Sequence, residues 1–244
     1  MFRTVFVLLT GLLVMGCASH SSQNDTPVSS ADQDPFEPIN RVMFKFNDTA
    51  DTYVVKPIAR GYRAVTPNPV ENSVSRFFSN IGEIRTIANS VLQWNWSKAG
   101  NSTGRFLINS TYGLAGLFDV AKSAGLAARD SEDFGQTLAV WGVGTGPYLV
   151  LPLTGPSNLR DLTASAADYA LNPIYYLEPS DETTALIALN FIDLRAGLLD
   201  AEDFVSGDKY TFFRDAYLQR RNYLIKNGEV EDDFGGDFDD FDSF

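Results

Sequence analysis

Along most of this chain the apolar residues return every three or four positions, and that period ties the fold to helices more tightly than any other feature. From Pro38 onward Ile39, Val42, Met43, Phe46, Ala50, Tyr53 and Val54 fall on one stripe, with Asn40, Arg41, Lys45, Asp48 and Asp51 between them. The spacing predicts an amphipathic helix that ends near Lys56-Pro57 or continues, kinked, to Val65, because a proline disfavours helix at the residue before it. Thr66-Pro67-Asn68-Pro69 is a break. A second helix is expected with Val70, Val74, Phe77, Phe78 and Ile81 on its stripe. A third is expected from Glu83 with Ile84, Ile87, Ala88, Val91 and Leu92, closed by Trp94-Asn95-Trp96. A fourth is expected over Lys98 to Tyr112 with Phe106 and Leu107 inward, after which Gly113, Gly116 and Gly125 loosen the chain. Helices are expected again over Asn158–Ala170, Asp181–Leu199 with Ser180 or Asp181 as N-cap, and Asp208–Lys226.

The exception lies between Phe134 and Leu153. Leu138, Val140, Val143 and then Tyr148-Leu149-Val150-Leu151 are β-branched or aromatic-rich around Gly142, Gly144 and Gly146. Two short extended runs joined by a glycine-rich turn are expected, and Pro147 and Pro152 exclude a central strand. The expected architecture is mainly α: about seven amphipathic helices in one domain, with one glycine-rich hairpin or loop.

The N-terminus sets the address. A positive start at Arg3, an apolar run to Met15 and then Gly16-Cys17 make a secretory signal. The run is about a dozen residues, too short for a ~30 Å hydrocarbon core that needs ~20. Leu13-Val14-Met15-Gly16-Cys17 resembles a bacterial lipobox, departing from it at Met15, where a small residue is commoner. Residues 1–16 are thus expected to be removed and Cys17 to carry lipid; the alternative is a plain signal peptide that happens to contain a cysteine. Ala18 after the cysteine, by resemblance to lipoprotein sorting, points to the outer membrane. Residues 17–34 then read as the lipidated N-terminus and a flexible Ser-, Asp-, Asn- and Gln-rich tether, whose seventeen residues beyond Cys17 span roughly 20–25 Å. The helical body occupies residues 35–228. Residues 229–244 form an acidic tail in which Phe234, Phe238, Phe241 and Phe244 alternate with Asp and Gly. A solvated, disordered tail or a short docking segment with Phe anchors are its two readings.

Composition removes several classes of function. The tail holds eight of the acidic residues and no base, so of the net charge of −12 only −4 belongs to the rest. With no basic block, nucleic acid is not an expected partner, nor is recruitment to anionic headgroups by charge alone. Cys17 is the only cysteine and cannot form an internal disulfide. The only histidine, His20, lies in the tether, away from any scaffold that a catalytic triad requires. Zinc ligands are lacking, and Gly142-Val143-Gly144-Thr145-Gly146-Pro147 has neither the Lys-Ser/Thr ending of a P-loop nor the dinucleotide spacing. The acids Asp130, Glu132 and Asp133 read as a solvated turn rather than a catalytic pair. No catalytic residue, metal or cofactor is expected, and binding or transport is the default.

The residues now carry a resemblance. Asp34-Pro35-Phe36-Glu37-Pro38-Ile39-Asn40-Arg41, continued by Met43-Phe44-Lys45-Phe46-Asn47, is similar to the opening motif of the MlaA (VacJ) outer-membrane lipoproteins. The segment from Gly142 to Tyr148, Leu151-Pro152-Leu153 and Gly155-Pro156-Ser157 fits the same family. So do Phe134 to Leu138, Leu159-Arg160-Asp161 and Arg214 to Arg221. The resemblance covers about Asp34 to Asn227. It implies a ring-like, all-helical, non-enzymatic carrier of phospholipids, lodged in the inner leaflet of the outer membrane around an amphipathic channel. It further implies association with a trimeric porin. Phospholipids misplaced in the outer leaflet would be passed to a soluble periplasmic protein of the MlaC type, maintaining lipid asymmetry.

By the same resemblance Asp34, Pro35, Asn40, Arg41, Phe46 and Asn47 are motif residues of the first helix. Gly142, Gly144, Gly146, Pro147, Tyr148, Leu151 and Pro152 belong to a flexible loop beside the channel. The residues themselves add that Trp94, Trp96, Trp141 and Tyr148 are of the type that sits at headgroup level, or else pack in a core. The competing functions are an envelope interaction lipoprotein that binds a porin without handling lipid, and a lipid hydrolase, against which the missing histidine argues.

Overall fold

The first helix does not stop at its proline. In the computed structural model, which describes residues 34–229, α1 (Glu37–Ala50) runs through a π-helical turn (Asp51–Val55) straight into α2 (Lys56–Val65). The wide turn sits immediately before Pro57, where the ring would otherwise press on the carbonyl four residues back; Lys56 N–H bonds Asp51 O instead. After Pro67 the helix α3 (Asn68–Leu92) is continuous, so the two helices expected on either side of Glu83 are one. Gly82 at the expected boundary keeps helical geometry; one glycine costs only about 1 kcal/mol relative to alanine. Trp94, in the left-handed region, turns the chain, and Asn95 caps α4 (Trp96–Thr111) by accepting from Lys98 N–H. Leu107 of α4 faces outward, not inward; Lys98, Ala99, Ser102, Arg105 and Asn109 are the buried residues there.

Two of the three glycines after α4, Gly113 and Gly116, tighten the chain rather than loosen it. A Cβ on Gly113 would lie 2.3 Å from Phe118 O, and one on Gly116, at φ +96°, would meet Asn80 at 2.5 Å. The single turn α5 (Val120–Ser123) and the helix α6 (Phe134–Val140) follow, so the first of the two expected extended runs is helical. Asp133 caps α6, accepting from Gln136 N–H. The strands are β1 (Tyr148–Leu151) and β2 (Gly155–Asn158), antiparallel with Tyr148 opposite Asn158 and Leu151 opposite Gly155. Their turn is Pro152-Leu153-Thr154, not the glycine run. Pro147 and Pro152 bracket β1, the placement that leaves its ladder intact. The chain ends in α7 (Leu159–Ala170), α8 (Asp181–Gly197) and α9 (Lys209–Ile225), with 3₁₀ turns between them. Ser180 is the N-cap of α8. Cys17, His20, the tether and the Phe-containing tail beyond Glu229 lie outside the described residues.

Burial is inverted relative to an ordinary globular protein. Among the described residues eighteen buried side chains are polar or charged and nine are apolar, and five of those nine are alanines. Large apolar side chains lie outside: on α1 and its extension Ile39, Val42, Phe46, Tyr53 and Val54 are exposed, while Asn40 is buried. Tyr148, Val150 and Tyr210 form an aromatic-rich core cluster, with Met43, Phe44, Tyr217 and Leu218 packed against it.

Candidate functional site

The motifs of the sequence meet in a clasp. The Asn40 side chain donates to Tyr148 O (3.0 Å) and accepts from Val150 N–H (2.9 Å). Asn47 repeats the bond pair further along, donating to Leu151 O and accepting from Leu153 N–H, both at 2.8 Å. Seven residues of helix rise about 10.5 Å and three residues of strand about 10 Å. Two asparagines two turns apart therefore meet the free edge of β1 in register and act as its missing neighbour strand. The second pair also holds Leu153 in the left-handed backbone region. Asp34 accepts from Asn40 (2.8 Å) and from the Tyr210 hydroxyl, and Arg214 lies 3.7 Å away. Arg41 pairs with Glu37 and Asp208 and stacks over Tyr210 at 4.4 Å. The Arg214–Arg221 stretch adds Tyr217, whose hydroxyl donates to Asp161 (2.8 Å), and Arg221, paired with both Asp133 and Asp161. Burial, then Asp34, push the Tyr210 phenol above its ordinary range, so it stays a donor. Pro35 is exposed, and Phe46 stands 53% exposed on the outer stripe.

The loop residues divide by role. Gly142, at φ +89°, ends α6: its N–H bonds Ala139 O and that of Val143 bonds Leu138 O, the bond pair of a Schellman cap. Gly146, at φ +67°, lies 3.0 Å in Cβ terms from Leu159. Only Gly144 has neither a left-handed φ nor a neighbour. The buried Arg160 N–H holds Thr145 O at 3.2 Å. Tyr148 is core, 1% exposed, which removes it from the headgroup-level aromatics. Trp94, Trp96 and Trp141 are exposed at 75%, 60% and 53%, and the Trp141 indole donates to Leu92 O.

No motif marks a second feature, a cavity of about 810 Å³ walled by α3, α7, α8 and the segments around Ser131 and Ile174. That volume lies in the range of ligand pockets. One part of its wall is apolar: Phe78, Ile81, Tyr169, Tyr175, Leu194 and Leu198. Another is charged: Glu83, Arg85, Arg129, Asp168 and Asp193. The helical glycines Gly82 and Gly197 line it, and a Cβ at either would meet nothing within 4 Å. None of residues 142–152 lines it. Asp193, buried, accepts from Ser75 (2.7 Å) and Tyr62 (3.1 Å); burial and then Asp193 push the Tyr62 phenol up to about 12. Asp168 accepts from Phe134 N–H (3.0 and 3.2 Å) and Asn89 (3.4 Å), and burial raises its carboxyl above the ordinary value.

Behind this wall a polar network fills the interior. Thr137 donates to Asn89 (2.8 Å), Gln93 to Glu132 (2.9 Å), and Lys98 pairs with Glu132, both side chains buried. Two of the three acids expected as a solvated turn are therefore structural: Glu132 is 1% exposed and Asp133 holds Arg221, while Asp130 lies at the surface against the exposed Arg220. Among the described residues no helix is long and apolar enough to cross a membrane, and no cluster of His, Cys, Asp and Glu has the makings of a metal site.

A model of the MlaA lipoprotein family matches residues 32–224. The chain belongs to the MlaA lipoprotein family. The intermembrane phospholipid transport system lipoprotein MlaA of Escherichia coli K12 is 34% identical over 224 residues, 90% of this chain and 87% of its own length. An uncharacterized protein of Rickettsia conorii is 43% identical over 200 residues, 80% of this chain and 79% of its own. A solved structure from work on the structural basis for maintenance of bacterial outer membrane lipid asymmetry aligns with a TM-score of 0.70 at 35% identity. It covers 79% of this chain and 98% of that one. The mainly helical fold is thus that of an MlaA relative. The motifs that carry the resemblance include the residues that close the clasp, whereas the cavity wall draws on scattered Ser, Thr, Asn, Asp and Arg. Polar residues at helical spacing on α3, such as Ser75, Ser79 and Thr86, are the signal that points to it.

Proposed function

We propose that this protein is an outer-membrane lipoprotein that removes phospholipids misplaced in the outer leaflet and passes them to a periplasmic carrier. The single observation that carries the reading is the cavity of about 810 Å³ with an apolar and a charged wall, inside a body whose large apolar side chains face outward. A phospholipid has apolar tails and a charged head, and a path for it must offer both surfaces. The outward stripe of Ile39, Val42 and Phe46 and the exposed Trp94, Trp96 and Trp141 suit a body seated in the membrane interface. Acyl chains on Cys17 hold it there, each buried methylene contributing ~0.8 kcal/mol. A trimeric porin supplies the surrounding partner, and a soluble protein of the MlaC type accepts the lipid. Transfer is non-enzymatic. The loop around Gly144 lies near the path and moves as lipid passes, while Gly142 and Gly146 hold its ends.

The test is a deletion strain, scored by phospholipid accessible to an external phospholipase and by detergent sensitivity. Both are expected to rise and to return to normal with the wild-type gene. A deletion that changes neither, with a porin still captured by the purified protein, would favour an envelope interaction protein that handles no lipid.

A further inference from the structure

The charged wall of the cavity is unevenly satisfied. Each of its carboxylates is engaged: Glu83 by Arg105 (3.0 Å), Asp193 by Ser75 and Tyr62, and Asp168 by the Phe134 N–H and Asn89. Its cations are not. Among the described residues Arg85, half-buried on α3, makes no ion pair or hydrogen bond through its side chain, and its buried Nε has no partner. The charge of Asp168 is felt at a distance, but that carboxylate spends both oxygens on a backbone N–H. Arg129, on the same wall, donates only to Ser97 Oγ at 3.3 Å. By contrast Arg41, Arg63, Arg105, Arg195, Arg220 and Arg221 each hold a carboxylate. Leaving a guanidinium unpaired in a half-buried wall costs free energy. Its planar fork matches the oxygens of a phosphate in bidentate fashion. The apolar wall of Phe78, Ile81 and Leu194 completes a surface for a group that is anionic at one end and oily at the other.

We infer that Arg85, assisted by Arg129, binds the phosphate of a phosphodiester lipid headgroup inside this cavity and so selects phospholipids over uncharged lipids. The inference rests on the transport reading above and names the atom group by which the cargo is held. Because the Arg85 side chain holds no hydrogen bond or ion pair among the described residues, its removal is expected to leave the fold intact. A lysine in its place keeps the charge but loses the fork, so it retains part of the effect.

The test uses the purified full chain in detergent as wild type, Arg85→Gln and Arg85→Lys, with thermal unfolding as a folding control. Three probes are titrated: a dihexanoyl phosphatidylethanolamine below its micellar concentration, dihexanoylglycerol, and inorganic phosphate. Wild type is expected to bind the phospholipid at least tenfold more tightly than the diacylglycerol, given the size of charge-assisted hydrogen bonds. Arg85→Gln is expected to bring the two within about twofold, and Arg85→Lys to fall between. Equal preference for phospholipid in wild type and in a folded Arg85→Gln would overturn the role of Arg85 while leaving transport standing. Inorganic phosphate that binds in an Arg85-dependent way without competing with the phospholipid would make this a free-anion site and also overturn it. If wild type binds neither lipid, the transport reading itself falls.

Discussion

The clasp and the cavity region bury polar groups for opposite ends. In the clasp, Asn40 and Asn47 each give a donor and an acceptor to the edge of β1 and the turn after it, Asn40 also donates to Asp34, and aromatic rings seal the bonds: Tyr148 and Tyr210 lie 6.4 Å apart and Phe44 and Tyr210 5.7 Å apart, edge on. The result is a small, saturated core that fixes where α1, the hairpin and α9 meet. Around the cavity the helices α3, α7 and α8 also bury polar groups, yet they enclose space, and one of their cations is left without a partner. A saturated polar network gives a unique geometry, and an unsaturated one gives a place for something else. The protein therefore keeps its rigid joint and its ligand space in different places.

The comparison is broken most severely by Lys98→Met. It leaves Glu132 charged and buried behind the cavity wall, with an expected loss of about 3–5 kcal/mol. Chemical denaturation measures it, and a loss under 1 kcal/mol would mean that water reaches Glu132. Asn40→Ala opens the clasp. It removes the partners of a buried carbonyl and a buried N–H on β1, for an expected loss of about 2–3 kcal/mol. Lipid bound in the cavity, which neither Asn40 nor β1 lines, should change less than stability does.

Phe46→Asp separates the outward stripe from either core. Exposed as it is, its effect on unfolding in detergent should stay within about 0.5 kcal/mol. Association with vesicles should weaken by an amount near the transfer of one large apolar side chain, about 2 kcal/mol. Vesicle flotation decides, and unchanged flotation would remove α1 from the membrane face.

The smallest effect is in acid. Burial works to raise the Asp133 carboxyl, but the hydrogen bonds and charge of Arg221 outweigh it and hold the group below its ordinary value of 3.8. A depressed carboxylate stabilises the fold above its unfolded pKa and ceases to as pH falls through its folded pKa. Arg221→Gln removes that depression. The acid limb of its stability curve should therefore begin at higher pH than in wild type, as followed by circular dichroism between pH 2 and 6. Asp168, raised by burial, has the opposite sign: its charged form opposes folding as pH rises, so Asp168→Asn should help slightly at pH 7 and not at all in acid.

The helices were legible in the sequence because their stripes are long and regular, and Ser180 and the Pro67 break marked their ends. The errors have local causes. The chain passes Pro57 by widening the turn before it and passes Gly82 without breaking, and neither compensation leaves a pattern in composition. Leu107 looked inward because apolar stripes normally face a core, and here they face out. Motif residues were easy to find and hard to interpret: Tyr148 and Gly142 look like parts of a moving loop, yet one is core and the other a helix cap. The cavity was illegible because its residues come from four distant segments and only their polarity on inward stripes gives them away.

The central claim is that lipid occupies the cavity between α3, α7 and α8, and glycine makes it directly testable. Gly82 and Gly197 both line the space and both leave room for a side chain. Replacing each with leucine should narrow the cavity from two walls while raising helix propensity at Gly82 by up to about 1 kcal/mol. The decisive measurement is native mass spectrometry of the detergent-extracted wild type and of the Gly82→Leu/Gly197→Leu double variant. Phospholipid bound to the wild type and lost from an equally stable variant is the predicted result; equal lipid occupancy in the two would contradict the account.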